Sequence, residues 1–117
     1  MVSKCTLALC ALLILAASAA DAATLFTPPL PKGAAYRCEA VNVATRPRDV
    51  VLSIFASNSG SIATVSCMAL QPGHVCTLNG DQFSSYCRID VSGSRTAIRG
   101  AMTALVGDAV AGALAAQ

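Results

Sequence analysis

The stretch YCRIDVSG, residues 86–93, carries the pattern that decides the fold. Its apolar residues Cys87, Ile89 and Val91 alternate with larger or polar neighbours, and a Ser-Gly turn signal follows. A period of two residues is typical of a β-strand that buries one face. The same period recurs in VVLSI, residues 50–54. The chain therefore contains several strands that share one core.

Turn signals separate these apolar runs at short intervals. Pro72-Gly73 favours a tight turn, and Asn79-Gly80 is the strongest hairpin dipeptide. Short strands at such regular spacing predict an all-β protein, an immunoglobulin-like antiparallel β-sandwich of six or seven strands. The expected strands are 36–44, 49–56, 61–69, 74–78, 84–91 and 96–105, with 25–30 as a short edge strand.

The beginning of the sequence has the three-part pattern of a secretory signal peptide. A short positive segment, MVSK, precedes an apolar run over residues 5–16, and small residues follow. The run is shorter than the roughly 20 residues that a membrane-spanning helix needs. We therefore predict a signal peptide over residues 1–22 with cleavage after Ala22, although an A-x-A site also lies at residues 17–19.

The remaining sequence divides into a folded part and a tail. We predict a β-sandwich domain over residues 23–106 and a flexible or weakly helical tail over 107–117, where Gly107 and Gly112 weaken either regular structure. The mature protein is then expected in the periplasm or outside the cell. We expect no membrane span in the mature chain.

Charge and composition exclude several classes of partner. The chain has 8 basic and 6 acidic residues, a net charge of +2, and the basic residues are dispersed. A nucleic-acid-binding protein needs a clustered basic face, so no nucleic acid is expected. With no Trp, 3 Phe and 2 Tyr, an aromatic platform for bases or sugars is not expected either.

Four cysteines remain after the predicted signal peptide, and an even number in a small exported domain indicates two disulfides. They are Cys38, Cys67, Cys76 and Cys87. Three pairings are possible, and spacing alone does not choose among them. Strand order places Cys38 and Cys87 on strands that face each other across an immunoglobulin-like core. This order favours Cys38–Cys87 and Cys67–Cys76, which do not cross.

The segment SCMALQPGHVC, residues 66–76, also contains the single histidine. Cys67, His74 and Cys76 could bind Cu or Zn, which is the alternative function that we consider. A structural Zn site wants four ligands, whereas Cu(I) accepts fewer soft ones. We favour a disulfide-clipped hairpin in which His74 is a solvated turn residue, with no cofactor.

The sequence lacks the motifs that catalytic residues usually form. His74 has no matching nucleophile motif such as G-x-S-x-G, and Cys67 and Cys76 are too far apart for a C-x-x-C redox pair. We therefore predict no catalytic residues and no enzyme activity.

Four arginines could form an anion-binding patch on one side of the sandwich. They are Arg37, Arg88, Arg95 and Arg99. We favour the other interpretation, in which they are outward charges that solvate the sheets and guard their edges.

Six short motifs resemble, in their order, a family of small exported proteins of Gram-negative bacteria. They are residues 23–30 (ATLFTPPL), 38–43 (CEAVNV), 70–73 (LQPG), 86–88 (YCR), 91–93 (VSG) and 98–100 (IRG). The resemblance implies an immunoglobulin-like sandwich, export, and a bridge between Cys38 and Cys87, but no activity. Cys67 and Cys76 are additions to the family pattern.

The expected function is that of a binding or structural accessory module. Its partner would be a protein or a surface, and strand addition at an exposed sheet edge is one binding mode available to a β-sandwich.

Overall fold

The structure is a computed structural model that describes residues 22–29, 35–57, 60–106 and 109–117. Apart from Ala22, the predicted signal peptide lies outside the described residues. Among the residues that the structure describes, no helix has the length and apolar character that a membrane span requires.

The described part of the chain forms eight strands, which we number in chain order. They are β1 (Ala22–Phe26), β2 (Ala35–Asn42), β3 (Arg48–Ala56), β4 (Ser61–Leu70), β5 (Val75–Gly80), β6 (Ser84–Ser92), β7 (Ile98–Val106) and β8 (Ala109–Ala115). One 3₁₀ turn, Arg95–Ala97, precedes β7.

The strands pair antiparallel in two four-stranded sheets, so the predicted β-sandwich is confirmed. Sheet A has the order β1-β6-β3-β4, and sheet B has the order β5-β2-β7-β8. An immunoglobulin domain places its first strand beside its second and its seventh beside its sixth. Here β1 lies beside β6 and β7 beside β2, and an eighth strand extends the predicted count of six or seven.

The eighth strand corrects the predicted tail. Within residues 107–117, β8 pairs with β7 from Ala101↔Ala115 to Val106↔Ala109. Alanine and glycine have low intrinsic strand preference, so the sequence pattern does not show this strand. Its backbone hydrogen bonds to β7 determine its structure instead.

The Asn79-Gly80 hairpin turn is also corrected. Both residues belong to β5, and the turn follows at Asp81, whose carboxylate accepts a 2.9 Å hydrogen bond from the Phe83 amide. The Asp81 carbonyl accepts a further bond, of 3.1 Å, from the Ser84 amide. Because β5 and β6 lie in different sheets, this connection is an arch between the sheets rather than a hairpin.

The core lies between the sheets and is built from the alternate residues of each strand. Leu52, Ile54 and Ile89 from sheet A face Met102 from sheet B, and all four are fully buried. Burial of one such side chain contributes about 1.5–3 kcal/mol. The alternation that predicts the strands is thus the alternation that fills the core.

Asn42, at the end of β2, is a fully buried polar residue. Its side-chain amide donates 2.8 Å hydrogen bonds to the carbonyls of Arg46 and Leu70, and its Oδ1 accepts from the Ala44 amide at 2.9 Å. Its backbone carbonyl accepts a 2.7 Å bond from the Gly73 amide. Asn42 therefore joins the β2–β3 connection to the β4–β5 connection.

Candidate functional site

The structure contains both predicted disulfides. Cys38 on β2 is bonded to Cys87 on β6 through the centre of the core, with a Cα–Cα distance of 6.2 Å. Cys67 on β4 is bonded to Cys76 on β5, with a Cα–Cα distance of 6.1 Å. The second bond joins an edge strand of sheet A to an edge strand of sheet B.

The alternative metal site at Cys67, His74 and Cys76 has no free thiol in the structure. Both sulfur atoms belong to the disulfide and are not available as thiolate ligands. The described residues contain no group of three or more His, Cys, Asp or Glu side chains that could hold a metal ion. His74 is exposed, in the connection that follows Gly73.

The predicted hairpin around Pro72-Gly73 is an arch. The strands β4 and β5 belong to different sheets, so the disulfide rather than a ladder of hydrogen bonds holds them together. The His74 amide donates to the Gln71 carbonyl at 3.0 Å, which closes the turn. Gly73 adopts a φ of 78°, which glycine tolerates at little cost.

Strand β4 has an unusual composition for a sheet edge. Its ten residues, SIATVSCMAL, contain no charge, no proline and no glycine. It pairs with β3 on one side, and its outer side has no strand partner within the described part of the chain. An edge of this kind presents unpaired N–H and C=O groups that can template pairing with another chain.

The C-terminal end of β4 departs from regular pairing with β3. The pairing with β3 shifts register next to Ala69, which has a φ of 50°, and the Ala69 amide donates a 2.8 Å bond to the Asp49 carboxylate. Ile62 and Met68 are exposed on this strand, at 40% and 57%. A second register shift, between Ile54 and Phe55 of β3, lies near the start of β4, so the regular part of the free edge runs from Ala63 to Cys67.

A second surface feature lies on the outer face of sheet A, where three aromatic residues from three strands meet. The Phe55 and Tyr86 rings are stacked, with centroids 5.1 Å apart and an interplanar angle of 6°. The Phe26 centroid lies 6.4 Å from that of Tyr86. The expectation of no aromatic platform is thus corrected, because Tyr86 lies on the face opposite to that of Cys87 and meets Phe26 and Phe55 there.

Arg88 lies within this aromatic group. Its guanidinium carbon is 5.2 Å from the centroid of the Phe55 ring, and its Nε donates a 3.0 Å hydrogen bond to Asp90. The other carboxylate oxygen of Asp90 accepts a 2.7 Å bond from the Thr24 hydroxyl. We call Phe26, Phe55, Tyr86, Arg88 and Asp90 the Arg88 cluster.

The four arginines do not form one patch. Arg88 is on sheet A, Arg37 and Arg99 are on sheet B, and Arg95 is in the 3₁₀ turn. Arg37 lies 3.9 Å from Glu39, and Arg99 donates to the carbonyls of its own connection. Arg95 and Arg99 line one groove together, whereas Arg37 and Arg88 lie elsewhere, so the four do not make a single anion-binding patch.

No family model matches the chain, and no curated protein does. Similar solved structures include Thermotoga maritima 1070, with a TM-score of 0.48 and 10% identity over 80% of this chain and 91% of that one. The C-terminal domain of the BC2L-C lectin from Burkholderia cenocepacia has a TM-score of 0.39 and 14% identity, over 84% and 96%. The infectious bursal disease virus VP2 subviral particle has a TM-score of 0.42 and 12% identity, over 85% and 27%. At these values the likenesses assign no activity to the chain.

Proposed function

We propose that the protein is an exported, non-enzymatic binding module that takes up a strand of a partner protein along the free edge of β4. The observation that supports this proposal is the unpaired, uncharged and proline-free edge of that strand. Natural proteins guard such edges with lysines, prolines or very short strands. β-Bulges are a further such device, and the two register shifts of β4 confine the unguarded edge to Ala63–Cys67, which is suited to pairing with another chain.

Strand addition derives its affinity from main-chain hydrogen bonds and its specificity from alternate side chains. On the outer face, Thr64 and Ser66 of β4 are exposed and uncharged. A partner strand would therefore meet hydroxyl groups without like-charge repulsion.

The edge is held rigid before any partner binds. The Cys67–Cys76 disulfide fixes β4 to β5, and Asn42 fixes the Leu70 carbonyl at the end of β4. Rigidity of this kind reduces the entropy that is lost on binding.

An exported location agrees with the covalent chemistry. Two disulfides in a small domain are typical of an oxidising compartment, and the sequence over residues 1–22 predicts a signal peptide. We therefore expect the partner strand to come from an exported or surface protein. Membership in the family of small exported Gram-negative proteins is supported by the six sequence motifs alone.

The experiment is site-specific photocrosslinking in the exporting host, with the reactive residue at Ser66 and a control at Asn79 on the other sheet. We expect a discrete crosslinked partner from position 66 and none from position 79. Thr64→Lys should abolish the crosslink, because a charge at the centre of the edge opposes strand addition. Thr77→Lys, on the edge strand of sheet B, is the matched control and should leave it intact.

Two results would overturn the proposal. One is equal crosslinking from both positions, and the other is a loss of crosslinking in Thr77→Lys as large as in Thr64→Lys. Amide hydrogen exchange on the purified complex gives an independent measure, since the outward amides of β4 must become protected when a strand is added.

A further inference from the structure

Arg88 is held in one orientation by two different contacts. Its Nε donates to the Asp90 carboxylate, and its guanidinium carbon lies over the Phe55 ring. Asp90 is itself fixed by the Thr24 hydroxyl. The arginine side chain, which is ordinarily flexible, is therefore positioned before any ligand arrives.

The remaining donors of Arg88 face solvent. Its two Nη groups make no hydrogen bond to the residues that the structure describes, and the side chain is 40% exposed. Two parallel N–H groups of a guanidinium match the two oxygens of a carboxylate. The two positioned Nη groups of Arg88 can therefore bind one carboxylate.

The charge around Arg88 limits what the ligand can be. Asp90 lies 3.0 Å away and offsets the positive charge of the guanidinium. A group that brings two negative charges to this one position, such as a phosphomonoester, would be repelled by Asp90. A ligand with one carboxylate per unit and a neutral remainder fits better.

Aromatic side chains lie near the Arg88 guanidinium. Phe26 is 49% exposed and is opposite Arg88 in the β1–β6 register, so the two residues are cross-strand neighbours. The Tyr86 side chain, stacked on Phe55, is partly exposed on the same face. Ligand sites commonly combine such apolar surface with a few placed polar groups.

We propose that the Arg88 cluster binds a saccharide whose pyranose units carry a carboxylate, as uronic acids do. The carboxylate would accept the two Nη groups of Arg88, and the C–H face of the ring would cover Phe26. The hydroxyl groups of the sugar would reach the Tyr86 hydroxyl. This surface is the outer face of sheet A, so it is separate from the β4 edge and independent of the strand-addition proposal.

An acidic peptide fits the Arg88 cluster less well than such a saccharide. Its carboxylate is carried on a flexible stem, and the stem presents no ring-sized C–H face to Phe26. The peptide therefore loses more side-chain entropy for the same charge-assisted hydrogen bonds.

The test is a titration of isotope-labelled, disulfide-intact protein followed by backbone amide chemical shifts. The probes are trimers of galacturonate and of mannuronate, their fully methyl-esterified counterparts, and a tri-glutamate peptide. We expect shifts from an acidic trimer at residues 24–26, 53–55 and 86–90. Esterification should weaken binding at least tenfold, since it removes the charge and retains the ring.

Variants locate the site. Arg88→Lys should weaken binding of the acidic trimer about tenfold or more, because a charge-assisted bidentate contact is replaced by a single-point one. Phe26→Ala should weaken it at least threefold. Arg37→Gln on sheet B is the control and should not change it. Amide shifts far from the cluster report whether each variant keeps the native fold.

Four results would overturn the proposal. They are an absence of shifts with both acidic trimers, equal binding of the ester, an equal loss in Arg37→Gln, and tighter binding of tri-glutamate than of either trimer. The last result would reassign the cluster to acidic protein partners.

Discussion

Asn42 is a fully buried polar residue whose side chain connects two loops. Replacing it with alanine removes the donors to the Arg46 and Leu70 carbonyls and the acceptor of the Ala44 amide. A buried polar group without a partner costs about 1–3 kcal/mol. We expect Asn42→Ala to lower the free energy of unfolding by about 2–4 kcal/mol in urea denaturation.

The matched control is Asn79→Ala. Asn79 is exposed, and its side-chain oxygen accepts a 3.4 Å hydrogen bond from Arg37 on the surface. Its replacement should change stability by less than about 0.5 kcal/mol. Equal losses in the two variants would show that the Asn42 network contributes nothing beyond surface hydrogen bonding.

Alanine substitutions at two glycines with positive φ distinguish the destabilisation by backbone strain from the destabilisation by steric contact. A Cβ at Gly73 (φ 78°) would meet open space, whereas a Cβ at Gly93 (φ 96°) would overlap Nη1 of Arg48. Both substitutions to alanine incur about 1–2 kcal/mol for the left-handed backbone. Gly93→Ala must also displace Arg48, so we expect its melting temperature to fall further than that of Gly73→Ala. The reverse order would contradict this account of Gly93.

At the scale of strands, the two disulfides differ in the length of chain that they close. The double alanine variant of Cys38 and Cys87 opens a loop with a sequence separation of 49, which is worth about 4 kcal/mol in the chain-entropy estimate. It also removes two sulfur atoms from the core. We expect this variant to lose most of its cooperative unfolding transition.

The double alanine variant of Cys67 and Cys76 opens a loop with a separation of only 9, worth about 2.7 kcal/mol. It should remain folded with a lower denaturation midpoint. Chemical denaturation of both variants measures the difference. Similar losses in the two would mean that loop length does not govern their contributions.

Alternation along single strands made much of the fold predictable. The observed β3 and β6 differ from the predicted strands by one residue at one end, because each buries every second residue against the core. The strand β8 was missed since its Ala- and Gly-rich sequence has no such alternation. The Asn79-Gly80 signal was wrong because Asp81, one residue later, binds the turn through its side chain.

The candidate sites were less predictable, because each depends on which strands are neighbours. The absence of charge in β4 is visible in the sequence, but its position at an edge follows from the sheet order. The Arg88 cluster combines Phe26, Phe55 and Tyr86 from β1, β3 and β6. No spacing along the chain relates these three residues. The one available signal was the outward orientation that alternation assigns to Tyr86.

At the scale of the whole molecule, the two open sides of the sandwich are closed by different bonds. The Cys67–Cys76 disulfide joins β4 to β5 on one side. On the other side, Phe26 of β1 exchanges two backbone hydrogen bonds with Gln117, at 2.8 and 3.0 Å, directly after β8. Separation of β4 from β5 thus requires reduction of the disulfide, whereas the β1–β8 side can open by local fraying of its hydrogen bonds.

This arrangement predicts the order in which the disulfides are reduced. Cys67 is partly exposed on the edge of the sandwich, whereas Cys38 and Cys87 have no exposed surface. Thiol attack on a disulfide requires access to a sulfur atom. Under native conditions we expect limiting dithiothreitol, followed by alkylation and peptide mass spectrometry, to modify Cys67 and Cys76 first. The core bridge should be reduced at the rate of global unfolding, so urea should accelerate reduction of Cys38 and Cys87 far more than that of the other pair. Equal acceleration of both pairs would mean that the Cys67–Cys76 disulfide is also reduced only through unfolding. Earlier alkylation of Cys38 would mean that the core opens without global unfolding.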